Sequence, residues 1–284
     1  MRWTDDRSGN VEDRRGLGGG GAVVGGGLGT LIIAAIIFFL GGDPSSILSS
    51  GGASGPARTE QRTLNANELK VREFVQMVTA ENEQTWAKVF EDNGMKYSPA
   101  RVVLFENTTQ SGCGTAQSAM GPFYCPADQT VYMDMSFFNE LQQQFGAQVT
   151  EFTIAYVMAH EMGHHVQTLL GTTQKVDELR RSGRYSEAEM NRVSVATELQ
   201  ADFYAGVWAK QTDNREHILE PGDIDAAISA AEAVGDDNIQ RRSQGYVNQE
   251  SFTHGSSAQR KEWFMKGYNT GDIRQGDTFN QLLR

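Results

Sequence analysis

The chain has 284 residues and a formal net charge of -11, so one catalytic-sized domain with an appendage is expected, and a nucleic-acid role has no electrostatic footprint. The two cysteines, Cys113 and Cys125, are too few for a fold built on disulfides. Their spacing also excludes the paired C-x-x-C of a structural zinc site.

Composition shifts within the first 66 residues. Residues 1–21 are polar and then glycine-rich, with Arg2, Arg7, Arg14 and Arg15 among them. Residues 22–40 carry no charge and end in an unbroken apolar run from Leu31 to Leu40. At about 1.5 Å per residue they match the ~30 Å hydrocarbon core of a bilayer, which predicts one transmembrane helix. The arginines ahead of it put the N-terminus in the cytoplasm and everything after Leu40 outside, in the periplasm or the extracellular space. A cleaved signal peptide is the rival reading, but the stretch exceeds the roughly 7 to 15 residues of an apolar signal region and no A-x-A site directly follows. Residues 41–66, rich in Gly and Ser with Pro44 and Pro56, read as a flexible linker. Residues 67–284 then form the folded domain, working close to the membrane.

In that domain Leu69, Phe74, Met77, Val78, Trp86, Val89 and Phe90 recur at helical spacing and predict a helix over 67–93, stopped by Gly94. Residues 101–105 and 130–135 read as strands, and 136–144 as a short helix. Between the strands, 111–126 reads as a loop carrying both cysteines, which an oxidising compartment would join in a disulfide. A proline-free apolar segment, 150–170, predicts a buried helix with Gly171 as its C-cap. Residues 175–184 read as a solvated turn or short helix. Ser186 and Glu189 form an S-x-x-E capping box that opens a helix to about 211. Further helices are predicted over 223–240 and 257–268. The expected fold class is α+β: a mostly helical domain with a small β-sheet, preceded by one transmembrane helix.

The helix over 150–170 carries H-E-x-x-H at His160, Glu161 and His164. Four residues separate the histidines, so both imidazoles leave one helix face a turn apart and can grip one metal ion. Glu161 points beside that face, where its carboxylate can reach an activated water without occupying a coordination position. His165, about 140° round from His160, is assigned to packing or to support of the ligands rather than to the metal itself. A catalytic zinc site needs a third protein ligand. The pattern H-E-x-x-H-x-x-G-x-x-H fails, because Gln167 and Leu170 stand at its Gly and last His positions. Glu198 and Asp202, at i and i+4 inside an otherwise apolar helix, share one face and need a positive partner. Glu198 is assigned as the third ligand, and Asp202 as the acceptor that holds one ligand imidazole. The plain alternative is two satisfied core histidines beside a solvated acidic face.

H-E-x-x-H followed by E-x-x-x-D on the next helix resembles the gluzincin arrangement of zinc peptidases. A wider set resembles the YpfJ-like neutral zinc metallopeptidases of bacteria over nearly the whole chain. It comprises Ser111 to Gly114, Gly121 to Pro126, His160 to Gln167, Glu198 to Gly206, Thr253 to Ser257, Gln259-Arg260 and Trp263-Phe264. The resemblance implies a zincin-like fold, Zn2+ and peptidase activity. It also implies that His254 stabilises the oxyanion formed on the scissile carbonyl, with Arg260 as the accompanying arginine. In the similar T-H-P segment of the HtpX-like group a proline stands where this chain has Gly255. A surface-loop His254 with Arg260 in an ordinary ion pair is the alternative.

These readings converge on a membrane-anchored zinc-dependent metallopeptidase in which Glu161 is the general base. Its partners are a peptide or protein substrate and a membrane, and an extended substrate would pair with an edge strand such as 131–135. Two rivals share the residues: a non-catalytic zinc-stabilised domain that binds another envelope protein, and a zinc amidase acting on cell-wall peptides.

Overall fold

The computed structural model describes residues 1–15 and 62–283. The expected transmembrane helix over 22–40 and most of the linker lie outside the described residues. Among the described residues no helix is long and apolar enough to cross a membrane.

The elements in chain order are β1 (Val11–Asp13), α1 (Ala66–Asp92), β2 (Arg101–Phe105), β3 (Thr108–Ser111), β4 (Gly114–Gln117), β5 (Phe123–Cys125), β6 (Thr130–Asp134), α2 (Ser136–Phe145), α3 (Glu151–Leu169), α4 (Thr172–Ser182), α5 (Glu187–Glu216), α6 (Asp223–Ala233), α7 (Asp236–Gln244), α8 (Ser257–Thr270) and α9 (Thr278–Leu282). The described chain is mostly helical α+β with small sheets, as the periodicities predict. One sheet has the order β1-β2-β6-β5, and β3 and β4 form a separate antiparallel hairpin.

Four helix starts follow the capping rule. Asn65, Thr150, Ser186 and Ser256 each accept from the N3 backbone N–H, and the N3 side chain answers back to the cap residue. Helix α3 is apolar nearly all round and is buried along most of its length, between the sheet, α1, α5 and α6.

Two close approaches set the helix spacing. At Gly163, inside H-E-x-x-H, an added Cβ would come 2.9 Å from the carbonyl oxygen of Ala201, so α3 and α5 touch backbone to backbone there. Gly206 on α5 and Gly267 on α8 face each other's helices in the same way. A Cβ on the first would lie 2.0 Å from the Phe264 carbonyl oxygen, and one on the second 2.0 Å from that of Phe203. These contacts bring the H-E-x-x-H face, the E-x-x-x-D face and the first turns of α8 together.

Several expectations are corrected. Residues 111–126 are not one irregular loop: they hold the end of β3, all of β4 and β5. The segment over 223–240 is two helices, broken at Val234 and Gly235. A Cβ on Gly235 would lie 2.4 Å from the backbone nitrogen of Ser257, so the break is where α8 begins to press on the chain. Residues 130–135 are not an edge: β6 lies between β2 and β5, and the edge on that side is β5. Of the two readings for the segment after α3, a turn or a short helix, the helix holds: it is α4.

Residues 1–15, expected as a separate cytoplasmic segment, are folded onto the domain. Here β1 pairs in parallel with β2, Trp3 Nε1 donates to Glu151 at 3.0 Å, and the Thr4 hydroxyl donates to Glu81 at 2.6 Å. Arg62 and Asn65, expected in the linker, also belong to the fold, through contacts with Glu68 and Glu106 and through the α1 cap.

Candidate metal centre

The structure brings His160, His164 and Glu198 together. Their ligand atoms all lie within 4.8 Å of one another, and all three side chains are buried. Helix α3 supplies the two imidazoles, and α5, held against it at Gly163, supplies the carboxylate. Glu198 Oε2 is 3.2 Å from His160 Nε2, and Oε1 is 3.6 Å from His164 Nε2.

Each imidazole is oriented by a partner on its other nitrogen. His160 Nδ1 lies 2.8 Å from Asp202 Oδ1, which makes Nδ1 a donor and turns Nε2 toward Glu198. His164 Nδ1 lies 2.9 Å from Gln167 Oε1, with the same result. Gln167 is held in turn by its amide, which donates to the Thr197 carbonyl at 2.7 Å and to Gln200 at 3.1 Å.

Asp202 is fully buried and accepts from more than the histidine. Arg260 grips it through two nitrogens, at 2.7 and 2.9 Å, and the Tyr156 hydroxyl donates at 2.6 Å. Arg260 is itself buried. A buried carboxylate in this setting stays ionised because a guanidinium faces it in a forked pair. Burial opposes the charge, yet Arg260 and His160 hold the Asp202 carboxyl far below the usual carboxylate range.

The electrostatics describe a cradle for a cation. Burial alone would lower His160, but Asp202 and Glu198 outweigh it and push the imidazole up to about 10. Glu198, despite burial, is held at about 2 by the histidines around it. His164 is lowered by burial. One ionised carboxylate, Glu198, and two histidines with their Nε2 atoms converging form the N/O donor set that suits zinc. The chemistry of the donor set and the closeness of the three ligand atoms therefore fit a divalent ion.

Glu161 is buried beside this group and is pushed up to about 8, chiefly by burial and further by Glu198. Its Oε2 makes no hydrogen bond among the described residues. Such an atom is costly unless a ligand or water meets it.

His254 lies in the turn between α7 and α8 and lines the same cleft as His160, Glu161 and Arg260. Asp236, the first residue of α7, organises that turn. Its Oδ2 accepts from the backbone N–H groups of Thr253, His254 and Gly255 at 2.7, 2.6 and 2.9 Å, and its Oδ1 lies 3.3 Å from His254 Nδ1. Asp236 raises the His254 pKa although burial works to lower it. Gly255 has φ +90° and its Cβ position faces Leu199 and Val195, so the turn uses a backbone conformation that a proline could not adopt.

The other histidines stand apart. His165 is fully buried between the Tyr124 hydroxyl, at 3.0 Å, and the Ser98 carbonyl, at 2.6 Å. His217 caps the C-terminus of α5 in the left-handed conformation, about four turns beyond Asp202. Cys113 and Cys125 form a disulfide with a Cα separation of 5.8 Å.

Sequence reasoning missed Tyr156, Gln167 and Asp236. Tyr156 carries a signal in retrospect: it lies four residues before His160, so it shares the ligand face of α3.

The sequence profile of the family described as "Putative neutral zinc metallopeptidase" matches residues 1–279. The chain is 45% identical to the protein YpfJ of Escherichia coli K12 over 222 residues, which is 78% of this chain and 76% of that protein. It is 46% identical to the protein Rv2575 of Mycobacterium tuberculosis H37Rv over 193 residues, 65% of this chain and 64% of that one. No solved structure matches. A buried His-His-Glu group, a matching profile over nearly the whole chain and relatives at this identity together establish that the chain belongs to this family of neutral zinc metallopeptidases.

Proposed function

We propose that the protein hydrolyses peptide bonds with His160, His164 and Glu198 as the metal ligands and Glu161 as the general base. The observation that carries this reading is the unbonded Oε2 of buried Glu161 beside three convergent ligand atoms within 4.8 Å. Zinc, when bound, supplies a Lewis acid that acidifies water and polarises a carbonyl.

The chain's own residues do the rest. Glu161 takes a proton from the attacking water as the new C–O bond forms. It passes that proton to the amide nitrogen as the C–N bond breaks. Burial disfavours the charged form of its carboxyl, which makes it a better proton acceptor than a surface glutamate. Asp202 and Gln167 keep the two imidazoles turned to one point, and Arg260 with Tyr156 keeps Asp202 in place. His254, oriented through Asp236, donates to the oxygen of the scissile carbonyl as charge develops there. An extended substrate lies along β5, the edge strand on the side of the sheet next to β6.

We further propose that residues 22–40 attach the domain to a membrane and that the domain works outside the cytoplasm. The Cys113–Cys125 disulfide supports an oxidising compartment.

The test is cleavage of quenched peptides by the zinc-loaded protein. Turnover should vanish with chelator and return with zinc, and Glu161→Gln should bind zinc without turning over. Zinc-independent cleavage, or an active Glu161→Gln, would overturn the reading.

A further inference from the structure

Two stretches of the chain repeat one short pattern. Arg180-Arg181-Ser182-Gly183-Arg184-Tyr185 closes α4, and Arg241-Arg242-Ser243-Gln244-Gly245-Tyr246 closes α7. Each helix stops at its glycine, Gly183 or Gly245, in the left-handed conformation, with two arginines in the last turn. Arginines there complement the negative end of a helix dipole, which accounts for Arg180, Arg181, Arg241 and Arg242. It does not account for Arg184, nor for the exposed rings and apolar side chain beyond the caps: Tyr185 is 45% exposed, Tyr246 64% and Val247 38%.

Both tips are basic in an acidic protein. The chain carries a net charge of -11, yet no acidic residue occurs within 179–186 or 238–249. Arg180 and Arg181 approach Asp177 only to 3.5 and 3.9 Å, and Arg241 approaches Asp237 to 3.8 Å. Exposed pairs of this kind bind weakly and leave the arginines able to meet another anion.

The two tips belong to one face. Asn191, in the second turn of α5, donates to the Glu250 carbonyl at 2.9 Å, and the Asn248 N–H donates to the Gln240 side chain at 2.7 Å. The segment after the first tip is thus tied to the loop after the second, and that loop is tied back onto α7. Arg180 lines the His164 side of the ligand group, and Ile239 lines the cleft that Glu161 and His254 share. The tips therefore stand at the rim of the cleft.

Residues 181–187 and 241–250 are exposed without interruption, so the tips are protruding helix ends and not the walls of a groove for an extended chain. Their chemistry is that of a membrane interface, where guanidinium groups fork onto phosphate oxygens and tyrosine rings settle at headgroup level. We propose that the two tips dock the domain on an anionic bilayer, with Arg181, Arg184 and Arg241 on lipid phosphates and Tyr185, Tyr246 and Val247 among the headgroups. Docking holds the rim of the cleft at the membrane surface. From the attachment through residues 22–40 proposed above, this inference takes only the nearness of a bilayer.

The experiment uses the full chain, whose two cysteines are joined in the disulfide, so that an introduced thiol takes a single environment-sensitive fluorophore. Ser182→Cys and Ser243→Cys place it at the tips. Asn214→Cys is the control, about 40 Å further along α5 than the first tip. On vesicles of phosphatidylcholine and phosphatidylglycerol containing nitroxide-labelled lipid, the fluorophores at 182 and 243 should shift to the blue and be quenched, while the one at 214 stays in water. On phosphatidylcholine alone all three should stay in water, and added salt should release the tips from the anionic vesicles. A basic side chain at an anionic surface contributes about fivefold. Arg181→Gln, Arg184→Gln and Arg241→Gln combined should therefore lower the docked fraction about tenfold or more, with fold and zinc content unchanged.

No quenching at 182 and 243, equal quenching at 214, or the same response on phosphatidylcholine alone overturns the proposal. A response to polyglutamate with none to lipid overturns it too, and makes the tips a site for acidic polypeptides. Flotation with phosphatidylcholine vesicles reads the attachment through 22–40 separately. If the chain does not float, that attachment falls, while titration with the anionic vesicles still upholds or overturns the docking.

Discussion

Asp236 binds the His254 turn twice over: one carboxylate oxygen gathers three successive backbone N–H groups and the other faces the imidazole at 3.3 Å. A side chain held from both its backbone and its ring loses little freedom when it acts, which is what a preorganised oxyanion donor requires. His254→Ala should keep zinc and fold, and lose about 10² to 10³ in kcat with KM little changed. Asp236→Asn should fall between the two, because the amide keeps the shape but accepts fewer backbone bonds. A kcat within a few-fold of the parent in His254→Ala would make His254 a turn residue only.

Metal retention separates ligands from base. His160→Ala, His164→Ala and Glu198→Ala should each lose zinc by elemental analysis, whereas Glu161→Gln should retain it. Stoichiometric zinc in folded Glu198→Ala would remove Glu198 from the ligand set.

The Tyr156, Asp202 and Arg260 network should affect affinity and stability differently. Asp202→Asn should weaken zinc by roughly 10 to 100-fold, since the imidazole loses its charged acceptor. Gln167→Ala should act in the same direction on His164. Arg260→Ala strands a buried carboxylate and should destabilise the fold by about 3 to 5 kcal/mol, measured by denaturant titration. Denaturation unchanged in Arg260→Ala would show that Asp202 does not depend on the guanidinium.

The helix crossing offers a test far from the chemistry. Gly267→Ala introduces a Cβ where the Phe203 carbonyl oxygen would be 2.0 Å away, so α5 and α8 must separate. The cost should be about 1 to 3 kcal/mol or more. Zinc affinity should fall with it, because Arg260 and Asp202 sit on the two helices being pushed apart.

Reducing the Cys113–Cys125 disulfide should cost about 2 to 4 kcal/mol. Cys113 lines the His164 side of the ligand group, so peptide turnover should fall with it. Stability equal to the oxidised protein would show that the hairpin of β3 and β4 holds itself.

The cluster of His160, His164 and Glu198 was legible because helical spacing places His160 with His164 and Glu198 with Asp202 on single faces. Among its supports, Asp202 was legible for the same reason. Gln167, three residues after His164, shares its helix face, whereas Asp236 reaches His254 from another element and no periodicity encodes that. The β3 and β4 hairpin was hidden because Thr108–Ser111 and Gly114–Gln117 are short and polar, with no apolar alternation to mark strands. The break at Gly235 fell within an alanine-rich run that reads as continuous helix. Only the approach of Ser257 gives the interruption a reason.

The strand β1 carries a topological consequence. Arg15, just after β1, donates to the Glu68 carbonyl at 2.8 Å, and Arg62 grips the Glu68 carboxylate at 2.6 and 2.8 Å. Both ends of the segment 16–61 are therefore fastened at one residue. A single crossing of a bilayer would set Arg15 and Arg62 on opposite faces of a ~30 Å hydrocarbon layer, so crossing once and keeping β1 in the sheet are mutually exclusive. With β1 withdrawn, β2 becomes a bare sheet edge, open to pairing by another strand.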